Sequence, residues 1–477
     1  MRRIVSLYVC LSLLLLCLTG CHTGPARLPT IELTVTDRTI SSVAFDLQIN
    51  DPDKALTVES IELQPEKGGN PIVLADVTAR EFTGLSKDTA YKLVVRYSYD
   101  LRNDNGPRSS TLQKSVQTMS GETVEEMIDF FVDVETGRDP IVLQLTDTQI
   151  IDAAQERTED RLGSYAEEYW ATDKMVDRCF RYIRETVTAT KPDLILLTGD
   201  LVYGEFDDNG ASLQALIAEM ESFGIPWAPV FGNHENESKM GVDWQCEQLT
   251  KAEHCLFKQR ELTGNGNYTV GIRQGGKVKR VFFMLDSNGC GLLSAESRAN
   301  GHTTTRVGFG SDQIQWYTAR AQDIRKLSPE TKLTFAFHIQ PAVFGEAYQK
   351  YGYGPSQATP SINISELCQD GTDFGYLGAG LKSAWDENKY VYEGIKALGV
   401  DSILVGHEHA NSASAVYDGI RFQYGQKTGT YDRANYQNGQ DVVTSYDMAG
   451  EPIVGGTVMP LAEEDGSIKD AYIYLCQ

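Results

Sequence analysis

Five short apolar runs in this chain each lead into a residue type that binds metal ions. They are Leu143-Gln144-Leu145-Thr146-Asp147, Leu194-Ile195-Leu196-Leu197-Thr198-Gly199-Asp200, Val230-Phe231-Gly232-Asn233-His234-Glu235, Thr334-Phe335-Ala336-Phe337-His338, and Ile403-Leu404-Val405-Gly406-His407, with His409 two positions on. A buried strand that ends in a polar side chain, often after a glycine, delivers that side chain to the crevice at the strand's carboxyl end. Asp, Asn and His converging from five strands supply the oxygen and nitrogen donors that divalent ions take. Any one piece is weak, because an Asp after a strand is commonly a helix N-cap and a lone His commonly packs in a core. The ordered set is what points to a metal centre.

Positioning those donors requires an α/β frame, and from Ile141 onward the pattern supplies one. Thr172 is an N-cap for a helix whose stripe is Met175, Val176, Cys179, Phe180, Ile183 and Val187, ending before Pro192. A second helix, about Ala211 to Phe223, precedes the run Trp227–Phe231, and Val281–Leu285 is a further buried run. Ser311 or Asp312 opens a helix carrying Ile314, Trp316, Ala319 and Ile324. Such alternation predicts a largely parallel core sheet. Asp418-Gly419, between Ala415-Val416-Tyr417 and Ile420-Arg421-Phe422, predicts a hairpin.

Residues 29–118 instead read as an all-β block, alternating in Ile31–Val35, Val43–Ile49 and Tyr91–Tyr97 and punctuated by Asn50-Asp51-Pro52-Asp53 and Lys67-Gly68-Gly69-Asn70-Pro71. Leu85-Ser86-Lys87-Asp88-Thr89-Ala90-Tyr91 resembles the corner before strand F of a fibronectin type III domain, where a tyrosine hydroxyl bonds back to the preceding backbone. The resemblance implies a small β-sandwich, with a spacer role as the plainest function. Residues 119–140 link the blocks through an acidic stretch and an edge strand near Phe130–Val134, and 141–477 form the second domain.

The 477 residues allow more than one domain. A formal charge of −23 and the lack of a basic groove argue against nucleic acid as a partner. They do not argue against a phosphate, since metal ions dominate the charge of their own site. At the N-terminus, Arg2 and Arg3 precede an apolar run from Ile4 to Leu18 that is short for a membrane span. Leu18-Thr19-Gly20-Cys21 resembles the bacterial lipobox, which implies residues 1–21 as a lipoprotein signal and Cys21 as the lipidated residue. The expected location is the cell envelope, anchored to a membrane by lipid, with the body facing the periplasm or exterior. Of nine cysteines, Cys10 and Cys17 lie within the signal and Cys21 would carry lipid; none of the rest has Cys-x-x-Cys spacing. Cys246 and Cys255 are the nearest pair, without spacing that establishes a bond.

Taken together, Asp147, Gly199-Asp200, Gly232-Asn233-His234-Glu235, His338 and Gly406-His407-Glu408-His409 resemble the calcineurin-like metallophosphoesterase superfamily, and most of all its purple acid phosphatase-like subgroup. The resemblance implies an α/β/β/α sandwich of two mixed sheets around two divalent or mixed-valence ions of manganese, iron or zinc. Asp200 would bridge the ions, Asp147 and His409 would complete the first, and Asn233, His338 and His407 would bind the second. A hydroxide acidified by the metals would attack phosphorus, while His234 stabilises the phosphoryl oxygens and protonates the leaving group. Glu235 would orient neighbours and Glu408 would lie outside the ligand set.

One position departs from the family pattern, which usually has Asp-x-His where this chain has Asp147-Thr148-Gln149. Gln149 could ligate the first ion through its carbonyl oxygen or hold a water there, favouring an oxygen-loving ion. Alternatively Tyr203, in a Gly-Asp-x-x-Tyr segment like that of purple acid phosphatases, binds as tyrosinate. A third reading is a crippled first site. The expected substrate is a small phosphate ester, a monoester ahead of diesters and nucleotides. A surface binding protein with weak or lost turnover is the rival, favoured only by Gln149. The stretch Ala347–Pro355, rich in Tyr and Gly, either stacks a substrate ring or packs on itself.

Overall fold

The structure, a computed structural model, describes residues 26–103, 105–152, 173–289, 308–353, 362–378, 385–386, 389–429 and 454–476. The signal segment with Cys21, and the cap residue Thr172, lie outside these. The chain divides into two compact units, residues up to Glu122 and residues from Thr123.

Two-residue alternation, clearest in Ser42–Asn50, builds the first unit. Its strands are β1 (Thr30–Arg38), β2 (Ser42–Asn50), β3 (Leu56–Pro65), β4 (Ile72–Val73), β5 (Glu81–Thr83), β6 (Ala90–Tyr99) and β7 (Arg108–Gln117). They form two sheets, β1-β2-β5 and β4-β3-β6-β7, with every pairing antiparallel. Val43, Phe45 and Leu47 point to one face of β2 because successive side chains alternate, and they pack with Ile61, Leu63, Phe82, Leu93 and Val95 in one core. The Tyr91 hydroxyl accepts a hydrogen bond from the Ser86 N–H at 3.4 Å.

In the second unit the strands are β8 (Phe130–Val134), β9 (Ile141–Leu145), β10 (Leu194–Thr198), β11 (Trp227–Val230), β12 (Tyr268–Gln274), β13 (Lys277–Met284), β14 (Lys332–Ala336), the short β15 (Ile362–Asn363) and β16 (Tyr376–Leu377), β17 (Ser402–Val405), β18 (Ser414–Tyr417), β19 (Ile420–Tyr424), β20 (Gly455–Pro460) and β21 (Tyr472–Leu475). One sheet runs β11-β10-β9-β20-β21 and the other β18-β19-β17-β14-β13-β12-β8. Both are mixed. The central strands β9, β10 and β11 pair parallel, as do β13, β14, β17 and β19, whereas β20 joins β9 antiparallel. The expected largely parallel sheet is thus two mixed sheets, and β8, expected within a linker, is an integral edge strand paired with β12.

Strands buried on both faces carry continuous apolar runs, which is why Leu194–Leu197 shows no alternation. The two sheets share one core, in which Leu143, Leu145 and Leu197 meet Val270, Phe282, Met284, Ala336 and Leu404. On the outer face of the first sheet lies α1 (Asp173–Thr190), burying Cys179, Ile183 and Val187 at four-residue intervals. The helix α2 (Ala211–Glu221) follows β10, and α3 (Val242–Lys251) precedes β12. On the second sheet lies α4 (Ser311–Leu327), where Trp316 and Tyr317 pack edge-on against Phe283 and Phe335. The layering is α/β/β/α. The hairpin of β18 and β19 turns through Asp418 (φ 52°) and Gly419 (φ 79°), the left-handed pair that Asp-Gly favours.

Candidate metal centre

Every sequence-selected donor leaves the carboxyl end of a strand, and the two sheets aim those ends at one place. Asp147 follows β9, Asp200 follows β10, Asn233 and His234 follow β11, His338 follows β14, and His407 and His409 follow β17. A buried amide zipper ties the sheets together beneath them. Gln144 Nε2 donates to Thr198 Oγ1 and to the Val405 carbonyl, each at 3.0 Å, and Gln423 Nε2 donates to Gln144 Oε1 at 2.8 Å. The glycines of the motifs are explained by proximity. A Cβ at Gly199 would lie 2.5 Å from His338 Nδ1, and one at Gly232 would lie 2.2 Å from Asp200 Oδ1. Asp147, Asp200 and His407 themselves adopt left-handed backbone, φ 51°, 52° and 72°. Such conformations are costly for non-glycine residues and persist where the surroundings impose them.

The two aspartates are buried and each divides its oxygens between protein and crevice. Asp200 Oδ1 accepts from the Asn233 and His234 amides at 2.8 and 3.0 Å, while Oδ2 stands 3.2 Å from His338 Nε2. Asp147 Oδ2 accepts from Thr146 Oγ1 at 2.7 Å and the His407 amide at 3.1 Å, leaving Oδ1 3.1 Å from His409 Nε2. Burial alone would push Asp200 up, but the imidazoles of His338 and His234 hold it well below the usual carboxylate range. His338 Nδ1 donates to the Thr198 carbonyl at 2.8 Å, which fixes its tautomer and turns Nε2 inward. Burial together with the charge of His338 depresses His407 to about 3, so its imidazole is neutral and its lone pair free to ligate.

Two groups of ligand atoms lie within 4.8 Å of one another: Asp200, His338 and His407, and Asp147, Asp200 and His409. The donors fit the two ions that the sequence resemblance implies. Asn233 Oδ1 is buried without a hydrogen-bond partner, and Asp147 Oδ1 and His338 Nε2 face other members of the cluster, His409 Nε2 and Asp200 Oδ2. Orphaned polar atoms of this kind carry a desolvation cost that a cation would remove. Asp200 belongs to both groups, the position a bridging ligand needs.

His234 sits beside this centre. Its Nδ1 is 2.6 Å from Glu237 Oε2, its Nε2 is 3.8 Å from Asp200 Oδ2, and its ring lies on that of Tyr203 with centroids 4.1 Å apart. Burial opposes charge on this imidazole, but Glu237 and Asp200 outweigh it and lift it to about 10. Glu235 is buried, and its two oxygens accept from the Leu201 and Gly232 amides at 2.5 and 2.6 Å, clamping the β10 and β11 loops together. Glu408 is also buried and accepts from Gln340 Nε2 at 2.9 Å. The observed contact of Tyr203 is to the His234 face.

Gln149 is held by a buried lysine. Its side-chain oxygen accepts from Lys427 Nζ at 2.7 Å, and its amide nitrogen faces Asp200 Oδ2 at 3.5 Å. The reverse orientation would set an NH₂ against an amine and a carbonyl against a carboxylate, so donor and acceptor identities fix this one. As placed, the Gln149 oxygen is engaged by Lys427 and its NH₂ faces Asp200. Lys427 was missed because lysine is not a metal-ligand type, although it follows β19 and Gly425 with the same signature as the other site residues. Glu237 was missed for lying on the turn beyond the motif. Within the tyrosine-rich stretch the described tyrosines are engaged by the protein, and Gly354 and Pro355 lie outside the described residues. Tyr348 and Tyr353 are buried against each other, the Tyr348 hydroxyl donates to the Ala413 and Phe422 carbonyls, and Tyr351 bonds Asp373. Cys246 and Cys255 are buried free thiols.

The chain belongs to the calcineurin-like phosphoesterase family, whose profile matches residues 141–411. It is 24% identical over 286 residues to the probable inactive purple acid phosphatase 28 of Arabidopsis thaliana, covering 55% of this chain and 65% of that protein. It is 27% identical over 241 residues to phosphatase DCR2 of Saccharomyces cerevisiae, covering 48% and 38%. The chain thus spans about two thirds or less of the length of these relatives. Among solved structures, a dimetal phosphatase from Danio rerio aligns with a TM-score of 0.38 at 11% identity, over 68% of this chain and 94% of that one.

Proposed function

We propose that this chain is an exported dinuclear-metal phosphoesterase that hydrolyses small phosphate esters, monoesters ahead of diesters and nucleotides. The observation that carries the reading is the cluster of buried ligand atoms around the shared carboxylate of Asp200, with Asp147 Oδ1, His338 Nε2 and the unpartnered Asn233 Oδ1 among them. Asp147, Asp200 and His409 would hold one ion, and Asp200, Asn233, His338 and His407 the other. When bound, the ions, of manganese, iron or zinc, supply Lewis acidity toward the phosphoryl group and acidify water. The protein's own part is positioning and proton transfer. Glu237 accepts from His234 Nδ1 and, with Asp200, favours the imidazolium, whose Nε2–H would be offered to the departing oxygen, and Tyr203 fixes the plane of the ring.

Around this centre we read the first unit as a fibronectin type III-like spacer. The strand order of its two sheets and the Tyr91 corner support that reading. Lipid attachment at Cys21 rests on the sequence pattern alone. The second reading, a binding protein with weak turnover, is favoured by the capture of Gln149 by Lys427 and by relatives whose names call them inactive.

Hydrolysis of p-nitrophenyl phosphate and its bis-ester by residues 22–477, reconstituted with manganese, iron or zinc, decides between the two. Metal-dependent release of nitrophenol is expected, faster from the monoester. Bound metal without release from either ester would favour the binding protein.

A further inference from the structure

The two ion sites differ in what they offer, and the difference traces to one buried lysine. We propose that Lys427 withholds Gln149 from the first metal ion and so makes that ion the weaker-bound of the two. This inference rests on the metal-centre reading above. Among the described residues the second ion would have Asp200, Asn233, His338 and His407 as ligands, whereas the first would have Asp147, Asp200 and His409.

Lys427 is held where it must be for this role. It is buried, and its Nζ donates to the Asp147 carbonyl at 3.0 Å as well as to Gln149 Oε1. Its backbone is fixed too. Thr146 and Lys427 form a parallel bridge, and the Thr428 and Gly429 amides donate to the Thr146 and Asp147 carbonyls at 3.0 and 3.2 Å. At Gly429 a Cβ would lie 2.3 Å from the Asp147 carbonyl oxygen, so glycine is what lets the segment approach Asp147 this closely. With its oxygen engaged, Gln149 turns an NH₂ toward Asp200, and an amide nitrogen bearing two protons has no lone pair to give a cation. Ligand number then favours the second ion, and the first keeps more positions open to water and substrate.

Titration calorimetry of the metal-stripped chain with Mn²⁺ tests this without reference to activity. The parent is expected to bind in two steps separated by about tenfold or more in Kd. Gln149→His should tighten the weaker step by about tenfold while leaving the tighter step near its parent value. Lys427→Met, which frees the Gln149 oxygen to turn, should tighten the weaker step several-fold. Two equally tight steps in the parent would overturn the inference, as would a weaker step that neither substitution tightens. If Lys427→Met fails to fold by circular dichroism, Gln149→His decides alone. No Mn²⁺ bound by the parent would remove the phosphoesterase reading and this inference with it, whereas two equal ions would remove only the inference.

Discussion

An imidazole whose Nδ1 stands 2.6 Å from a glutamate has one ring nitrogen left to face the crevice. On the proposed reading His234 would serve in proton transfer and not as a metal ligand, although it adjoins Asn233. His234→Ala is accordingly expected to lower kcat on p-nitrophenyl phosphate by about 10²–10⁴-fold, the usual worth of a positioned acid. Metal content measured by plasma mass spectrometry should stay at the parent level, and loss of metal instead would make His234 a structural or ligand residue. At this scale most of the site was readable in the sequence. Asp147, Asp200, Asn233, His338, His407 and His409 each belong to ligand types at the end of an apolar run. Gln149 was readable as an anomaly, but the direction its amide faces depends on Lys427, 278 positions away. Lone side-chain orientations of that kind are set by partners that sequence spacing does not reveal.

Among the elements, β8 shows how an edge strand is secured. Asp129, immediately before it, is buried and accepts from Lys258 Nζ at 2.7 Å, Arg260 Nη2 at 2.5 Å, and both the amide and hydroxyl of Thr269 at 3.0 Å. Burial pushes its carboxyl up, but Arg260 and Lys258 win and hold it below its ordinary value of 3.8. Because the folded pKa is depressed, the stabilisation is complete above the unfolded value and is lost as pH falls through the folded one. Asp129→Asn is expected to destabilise the second unit by about 3 kcal/mol at pH 7, since it leaves two cations facing a neutral group. Thermal melts at pH 7 and pH 3 should show the gap between parent and variant narrowing at the lower pH, and a constant gap would mean that the ionised carboxylate is not the source. The strands β9, β10, β14 and β17 were legible from their apolar runs, as were α1, α2 and α4 from their stripes and punctuation. The place of β20 was not legible. It comes from the far end of the chain to lie antiparallel on β9, and no local signal encodes a partner that distant. The tyrosines after His338 left two readings open for a related reason: only β18 and β19, which bury Tyr348, decide where that ring goes.

For the molecule as a whole, two units with separate cores sit behind an N-terminal segment that the sequence reads as a lipoprotein signal. Among the described residues no helix is long and apolar enough to cross a membrane. If Cys21 carries the lipid, Cys21→Ala should move the protein from the membrane to the soluble fraction of expressing cells with its specific activity on p-nitrophenyl phosphate unchanged. Equal membrane retention of parent and variant would place the anchor elsewhere. The charge of −23 would suit the proposed anionic substrate only with cations gathered locally at the centre. By itself the sequence determined the chemistry available: which donor types exist, that each ends a buried strand, and that two blocks of different period follow one another. Those are local properties, set by side-chain type and by periodicity along the chain. Only the tertiary structure decided that both sheets deliver their strand ends to one crevice, that Asp200 is common to both ligand groups, and that Lys427 takes the oxygen of Gln149. Each of those depends on distances between residues far apart in sequence, which packing of the shared core fixes and local pattern does not.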